Sequence, residues 1–556
     1  MIARVQRLIP FRLVFALLLL LALVFALARP AAQTDPLAWV GIGESNTNSI
    51  AELLLKDPNL IVGGRRVDGA ALIRFYETRE FKLAWRGSPN AAADAEIAFA
   101  ALSQAGAHGL NRAKYHLETL SRSENGAGSA AVYDVLMTDA ILKYMRDVRL
   151  GRIAPSAAYR DIALPAKNFD PVAALASALE NGELRGMLAD LPPSHPEYAR
   201  LKAALAEYRK IAAGGEWAQL PDRRATRAAG EDERFPLLRA RLMREDSSLT
   251  PEGDIVEALR RYQSRNGLEP DGKLGPKTLA MLNVPAAERV TGIEANLDRW
   301  RWLPATLEPR YVTINAADAT LQAIDRGGIV LASRVIVGAA DKRTPIFRAL
   351  AKDVTVNPPW NVPPSIARNE ILPKLRRNPN YLVSQRMILL NGPPGDPHGT
   401  TIDWKNVRAA GFAYRIQQLP GPESALGVLK LEMPNEFNVY LHDTPGKSAF
   451  ARNERTLSHG CVRVQDIMPL ASLSLSGDGG SAVEELLALI GAGETKRLAL
   501  NDPLPVYVLY WTAIADADGT VQFRKDVYGR DEELTAALHR ENEALGLSPA
   551  ECGLAH

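Results

Sequence analysis

Cysteine is nearly missing from this 556-residue chain: it has two, Cys461 and Cys552. That is too few for a disulfide framework, and they lack the paired spacing of a zinc ribbon. Charge of one sign is missing as well. Lys and Arg number 66 against 64 Asp and Glu, and a formal net charge of +2 creates no overall field for nucleic acid or an anionic membrane. No nucleic-acid partner is expected. Aromatic residues make up only 6%, yet 47% hydrophobic and 23% charged residues exclude a disordered or collagen-like chain. At about 150 residues per domain, the length implies three or four domains, each able to bury its own core.

Long apolar runs are confined to one place. Arg4, Arg7 and Arg12 precede an uncharged stretch from Leu13 to Ala28, closed by Arg29-Pro30. This reads as an export signal, either cut near Ala26-Leu27-Ala28 or Ala31-Ala32-Gln33, or retained as an anchor spanning residues 8–28. Either way the remainder is translocated, into a compartment where a structural Cys would usually be paired.

From about Ser49 to Arg152 the pattern is helical, with a segment Tyr133 to Val148 whose apolar face is Leu136, Ala140 and Tyr144. Prolines at 165, 171, 192 and 193 punctuate a looser region, a helix follows near Tyr198 to Ile211, and Gly214 to Glu233 reads as a linker. His108, His116 and His195 have no ligand spacing and read as ordinary histidines. In the unit Leu238 to Val284, Ile255, Leu259 and Tyr262 share one helical face, Asn266-Gly267 ends that helix, and Gly275-Pro276 starts another. The string Tyr262-Gln263, Asn266-Gly267-Leu268, Asp271-Gly272 and Gly275 to Leu279 resembles the small helical peptidoglycan-binding domain. After a helical Gly292 to Trp302 the pattern turns to strands: Tyr311 to Asn315, Leu321 to Ile324, Val330 to Val337, Lys352 to Val356 and Val506 to Thr512. The acidic turn at Asp516 to Gly519 lacks the distal ligands of a calcium loop and reads as a hairpin turn.

The chemistry concentrates in one stretch. Asn438 to Pro445 reads as a short strand that delivers His442 to its end, and nineteen positions later comes Cys461, inside Ser458-His459-Gly460-Cys461-Val462-Arg463. A nearby imidazole or imidazolium favours the thiolate, the species that attacks a carbonyl, and His442 is the natural base. Gly460 lets the backbone turn sharply, so that neighbouring N–H groups can face a developing oxyanion. A buried structural Cys is the ordinary alternative for a lone thiol. His442, His459 and Cys461 could also be zinc ligands, but a fourth ligand is not evident and no metal is expected.

At these residues the sequence resembles the L,D-transpeptidase family with its YkuD-type catalytic domain. The family motif is a His, a spacer, Ser or Thr, then His-Gly-Cys, a hydrophobic residue and Asn or Arg. The positions here are His442, Ser458, His459, Gly460, Cys461, Val462 and Arg463. Asn357-Pro358-Pro359-Trp360, Val337-Gly338 with Thr344-Pro345, Gly421-Pro422 with Ala425-Leu426-Gly427, and Phe75-Tyr76 with Trp85 look like the large Gram-negative branch. Ser424 stands where that branch often has Asn.

The resemblance implies a multidomain α+β chain. Residues 1–33 are the signal or anchor, 34–237 a helical scaffold domain and linker, 238–285 the peptidoglycan-binding domain and 286–307 a helical connector. Residues 308–515 are a β-rich catalytic domain, with an insertion at about 360–418 serving as a lid, and 516–556 a C-terminal extension. The implied activity is transpeptidation in cell wall biogenesis, in the periplasm. Cys461 attacks the carbonyl at the L-centre of meso-diaminopimelate in a tetrapeptide stem, D-Ala leaves, and a second diaminopimelate amine resolves the thioester into a 3→3 cross-link. His442 takes the thiol proton, the backbone of Asp443 orients its ring, and His459, Gly460 and Cys461 supply or shape the oxyanion hole. Arg463, Ser458, Tyr440, Trp360 and Gly427 contact substrate. The partners are peptidoglycan stem peptides as donor and acceptor, with glycan synthases or carboxypeptidases beside them, and no cofactor is implied. Carbapenem-type β-lactams are expected to acylate Cys461. A hydrolase or carboxypeptidase of the same fold, an enzyme linking lipoproteins to the wall, and a non-catalytic wall-binding scaffold are the alternatives.

Overall fold

The computed structural model describes residues 50–545 and 547, apart from 57–60, 63–64, 125–129, 216, 223–233, 247 and 477–481. The export signal, part of the linker and Cys552 lie outside the described residues. Among the described residues no helix is long and apolar enough to cross a membrane.

The N-terminal helical unit is organised around α1 (Ala130–Leu150). The one-faced helix expected from Leu136, Ala140 and Tyr144 is instead buried nearly all round, because neighbouring segments pack on every side of it. Its polar residues survive there by being bonded. Asp134 accepts the N–H groups of Ala84 and Trp85 and the hydroxyl of Tyr76, while Asp139 pairs with His116 and Lys143. His108 and His195 are likewise bonded within the fold, to the Tyr198 hydroxyl and the Pro304 carbonyl.

Helix α2 (Pro196–Ala213) packs against α5 (Ala286–Arg301). Between them in sequence, α3 (Ile255–Arg265) and α4 (Pro276–Leu282) enclose a small core of Leu238, Leu259, Tyr262, Leu279 and Leu282. Asp254 caps α3 through the N–H groups of Val256 and Glu257, and Pro276 opens α4 where no N–H partner is needed. Part of the expected linker is docked on this unit: the Trp217 indole donates to Val284 O and lies under the Arg241 guanidinium.

The β-rich unit is a sheet closed on itself. Its strands are β1 (Arg310–Asn315), β2 (Thr320–Asp325), β3 (Gly328–Gly338), β4 (Ile346–Val356), β5 (Leu429–Glu432), β6 (Leu441–His442), β7 (Thr456–Ser458), β8 (Val462–Val464) and β9 (Lys496–Leu509). The order β5-β6-β8-β3-β2-β1-β9-β4 returns to β5, and β7 pairs with β3. Alternating inward residues such as Val312, Ile314, Val335, Val337, Val506 and Val508 fill the interior. The Asp516 turn joins an antiparallel hairpin, Ala513–Ala515 with Val521–Phe523. The segment expected as a mere C-terminal extension contributes Phe523, Tyr528, Leu534 and Leu538 to the same core, the last two from α6 (Arg530–Ala544).

The insertion after β4 is more than a loop. Trp360–Asn361, Ile416–Gln418 and Met387–Leu389 form a three-stranded sheet, and Val362, Leu372, Leu375, Leu382 and Trp404 build a separate core beneath it. A folded body of this kind can hold a shape over a cleft, which a bare connection cannot.

Candidate active site

The register of two short parallel strands creates the site. Leu441 pairs with Val462 and His442 with Arg463 between β6 and β8, so one step earlier Tyr440 faces Cys461, and Val462 N–H donates to Tyr440 O at 3.2 Å. The Cys461 sulfur lies 4.0 Å from the carbonyl oxygen of Asn438, a residue held at φ +54°.

His442 is buried, with Nδ1 2.5 Å from the carbonyl oxygen of Asp443. A carbonyl only accepts, so Nδ1 carries the proton and Nε2 keeps its lone pair. Burial, reinforced by the Arg463 guanidinium, pushes the imidazole pKa down to about 3. Burial also pushes the Cys461 thiol up, outweighing the Tyr440 N–H, the Tyr440 hydroxyl and the cations Lys430 and Arg463 that act the other way. The resting pair is therefore neutral imidazole and neutral thiol, which corrects the thiolate expected from sequence. An imidazole this deeply buried carries no charge with which to hold one.

Tyr440 and Trp360, expected to bind substrate, lie on the nucleophile side. The Trp360 side chain and the Cys461 sulfur both lie against the Tyr440 hydroxyl. Burial and the adjacent thiol push the Tyr440 pKa up. Lys430 Nζ sits 3.9 Å from the centre of the Tyr440 ring, and the ring meets His442 edge-on at 5.5 Å.

The turn before Cys461 is closed by its own serine. Ser458 Oγ donates to Cys461 O at 2.6 Å and accepts Gly460 N–H at 3.1 Å, while Gly460 sits at φ +112°. Ser458 thus holds the turn, and the Gly460 N–H expected at the oxyanion hole is engaged by its hydroxyl. The His459 imidazole turns to the insertion, where its Nε2 bonds Glu370, a carboxylate that also pairs with Lys342 at 3.3 Å. It therefore braces the insertion against the turn instead of pointing at the thiol.

Asp443 is fixed from behind, accepting Val428 N–H at 3.0 Å and Lys447 Nζ at 2.6 Å. Gly427, expected at the substrate, makes room for this carboxylate: at φ +59°, an added Cβ would lie 2.2 Å from Asp443 Oδ2. Arg463 is half-buried beside Cys461, its Nε buried and without a hydrogen-bond partner among the described residues. An unpaired guanidinium at the thiol suits an incoming carboxylate or carbonyl. Among the described residues no group of three His, Cys, Asp or Glu side chains is arranged to hold a metal ion.

Sequence reasoning missed Glu370, Lys430 and Thr344. Thr344 had entered only as part of a Thr-Pro pair, and its hydroxyl donates to Gly460 O at 2.9 Å.

Three segments of the chain match known domain families. Residues 309–489 match the L,D-transpeptidase catalytic domain, 70–205 a "Scaffold domain" and 252–282 a "Putative peptidoglycan binding domain". The catalytic-domain match takes in both His442 and Cys461. A protein of Haemophilus influenzae named "Putative L,D-transpeptidase" is 34% identical over 226 residues, which span 41% of this chain and 45% of that relative. Two solved structures are more distant. The "Ldtfm-avibactam carbamoyl enzyme" is 11% identical with a TM-score of 0.19, over 37% of this chain and 51% of the other. An L,D-transpeptidase from Xylanimonas cellulosilytica is 15% identical with a TM-score of 0.16, over 52% and 98%.

Proposed function

We propose that the chain is a peptidoglycan L,D-transpeptidase that forms 3→3 cross-links between meso-diaminopimelate residues through a thioester on Cys461, in the periplasm. The observation that carries this reading is the parallel pairing of β6 with β8, which sets Cys461 on the strand beside a buried His442 whose Nδ1 is tied to Asp443 O and whose Nε2 keeps its lone pair.

The donor is a tetrapeptide stem. As the Cys461 sulfur bonds to the carbonyl carbon at the L-centre of diaminopimelate, its proton passes to His442 Nε2 and the carbonyl becomes an oxyanion. Collapse breaks the bond to the terminal D-Ala nitrogen, and His442 returns the proton to that amine. The side-chain amine of an acceptor diaminopimelate then attacks the thioester, gives up a proton to His442, and displaces the sulfur, which regains it. No oxidant, metal or cofactor is needed for this balance.

Arg463 supports the scheme as a receptor for a stem-peptide carboxylate or carbonyl. The insertion supports it by reaching the site, Glu370 bonding His459 and Trp360 lying against Tyr440, so that it could serve as a lid. Excluding water matters because the thioester must wait for an amine.

The test is mass spectrometry of products after incubating the protein, and a Cys461→Ala control, with purified disaccharide-tetrapeptides. Cys461-dependent dimers that have lost one D-Ala are expected. Tripeptide monomers alone would identify a carboxypeptidase, with water as the acceptor, and overturn the transpeptidase reading.

A further inference from the structure

The Gly460 and Cys461 carbonyls of the turn are both bonded, and one residue outside the motif sets the direction of the first. The Gly460 carbonyl accepts from Thr344 Oγ1 at 2.9 Å, and the same hydroxyl oxygen accepts Gly338 N–H at 2.8 Å. A trans peptide is planar, with C=O and N–H pointing opposite ways. Drawing the Gly460 carbonyl inward to Thr344 therefore turns the Cys461 N–H outward, and that N–H has no hydrogen bond among the described residues. Gly460, at φ +112°, has no side chain to resist rotation of this peptide unit.

We propose that Thr344 is the positioning residue of the oxyanion hole, fixing the Gly460–Cys461 peptide so that its N–H, and not its carbonyl, faces the developing negative charge. This deepens the acyl-transfer reading and rests on it. With the carbonyl turned outward instead, a partial negative charge would stand where the oxyanion forms.

Thr344 is itself held by the C-terminal segment, beyond residue 489 where the catalytic-domain match ends. Tyr528 donates its hydroxyl to Gly338 O at 2.7 Å and accepts Thr344 N–H at 3.4 Å. Arg530, fully buried, donates to Thr344 O at 3.1 Å and pairs with Asp161 of the scaffold at 2.6 Å. Tyr528 N–H in turn donates to Tyr510 Oη, and Tyr510 donates to Asp526. Gly338 permits the close approach, since a Cβ there would lie 2.0 Å from Lys342 O. The C-terminal segment and the scaffold thus reach the active turn through one threonine.

The experiment compares two reactions of the same thiol on the full chain. Alkylation by iodoacetamide needs the sulfur but no oxyanion hole, whereas acylation by a p-nitrophenyl ester or a carbapenem needs both. Thr344→Val is expected to slow acylation about 10- to 100-fold, within the range lost when one oxyanion donor is removed, while alkylation stays within about twofold. Thr344→Ser, which keeps the hydroxyl, restores acylation. Should Thr344→Val fail to fold, Tyr528→Phe gives the same split with a smaller loss. Equal acylation rates in Thr344→Val and wild type would overturn the proposal, as would equal loss of both reactions in a folded variant. A wild-type thiol that is alkylated but never acylated would instead overturn the acyl-transfer reading. A crystal structure of Thr344→Val would then decide the inference separately, by whether the Gly460 carbonyl has turned.

Discussion

The Nδ1–H of His442 and the main-chain carbonyl of Asp443, 2.5 Å apart, fix which ring nitrogen is free to act. A carbonyl cannot be removed by mutation, so the arrangement predicts that His442 is intolerant of every replacement. His442→Asn should lower the acylation rate of Cys461 by about 10²- to 10⁴-fold, the usual worth of a positioned base, with little change in the binding of unreacted donor. Stopped-flow acylation by a carbapenem checks this.

The pH profile follows from the neutral pair. With the imidazole pKa at about 3 and the thiol raised by burial, the active protonation state persists from about pH 4.5 to 8, so acylation should be flat across that window. A thiolate–imidazolium pair would instead titrate within it. A midpoint between pH 5 and 7 in the acylation rate would refute the neutral pair.

Stability should respond to the same burial. His442 and His108 both fall to about 3 in the folded protein, from about 6.5 when unfolded, because burial disfavours their charged forms. Below pH 6.5 the unfolded chain takes up protons that the folded chain refuses, so stability is complete above that pH and is lost as pH falls toward 3. Each group contributes a slope of up to about 1.4 kcal/mol per pH unit. Urea unfolding at several pH values should show a shallower acid slope in His108→Gln than in wild type.

Gly427→Ala tests the support of Asp443. A Cβ at φ +59°, 2.2 Å from the carboxylate, forces Asp443 to move or the backbone to strain. A cost of about 1–3 kcal/mol is expected from the backbone conformation alone. Thermal unfolding should shift down, and acylation should fall at least several-fold as His442 loses its fixed partner.

These consequences show how unevenly the chain displays its design. Cys461 and His442 were legible because the motif is local in order and the strand before His442 ends in Pro-Gly. The closed sheet's strands were visible as Val and Ile alternation, and α1 as a helix. The partners of the site were not legible, because they come from distant segments. Thr344, Glu370 and Trp360 reach the site only once the sheet has closed and the insertion has folded on its own core. Protonation states were misread for the same reason: burial of His442 beside Arg463 decides them, and no spacing encodes burial. The bonded interior polar groups of α1 belong to this class too, since Asp134 and Asp139 look like solvent-facing positions until their partners arrive.

The insertion supplies a further prediction. Glu370→Ala removes the brace between its core and His459, leaving the nucleophile and base untouched. The ratio of hydrolysed to cross-linked product should rise several-fold, read by chromatography of reactions with limiting acceptor. An unchanged ratio would show that the insertion does not exclude water.

The most direct measurement is the intact mass of the protein after rapid mixing with a disaccharide-tetrapeptide donor in the absence of acceptor. A transient adduct equal to the donor less D-Ala, mapped to Cys461 and absent from Cys461→Ala, is the predicted result. Donor consumed at the wild-type rate by Cys461→Ala, or an adduct on another residue, would contradict the account.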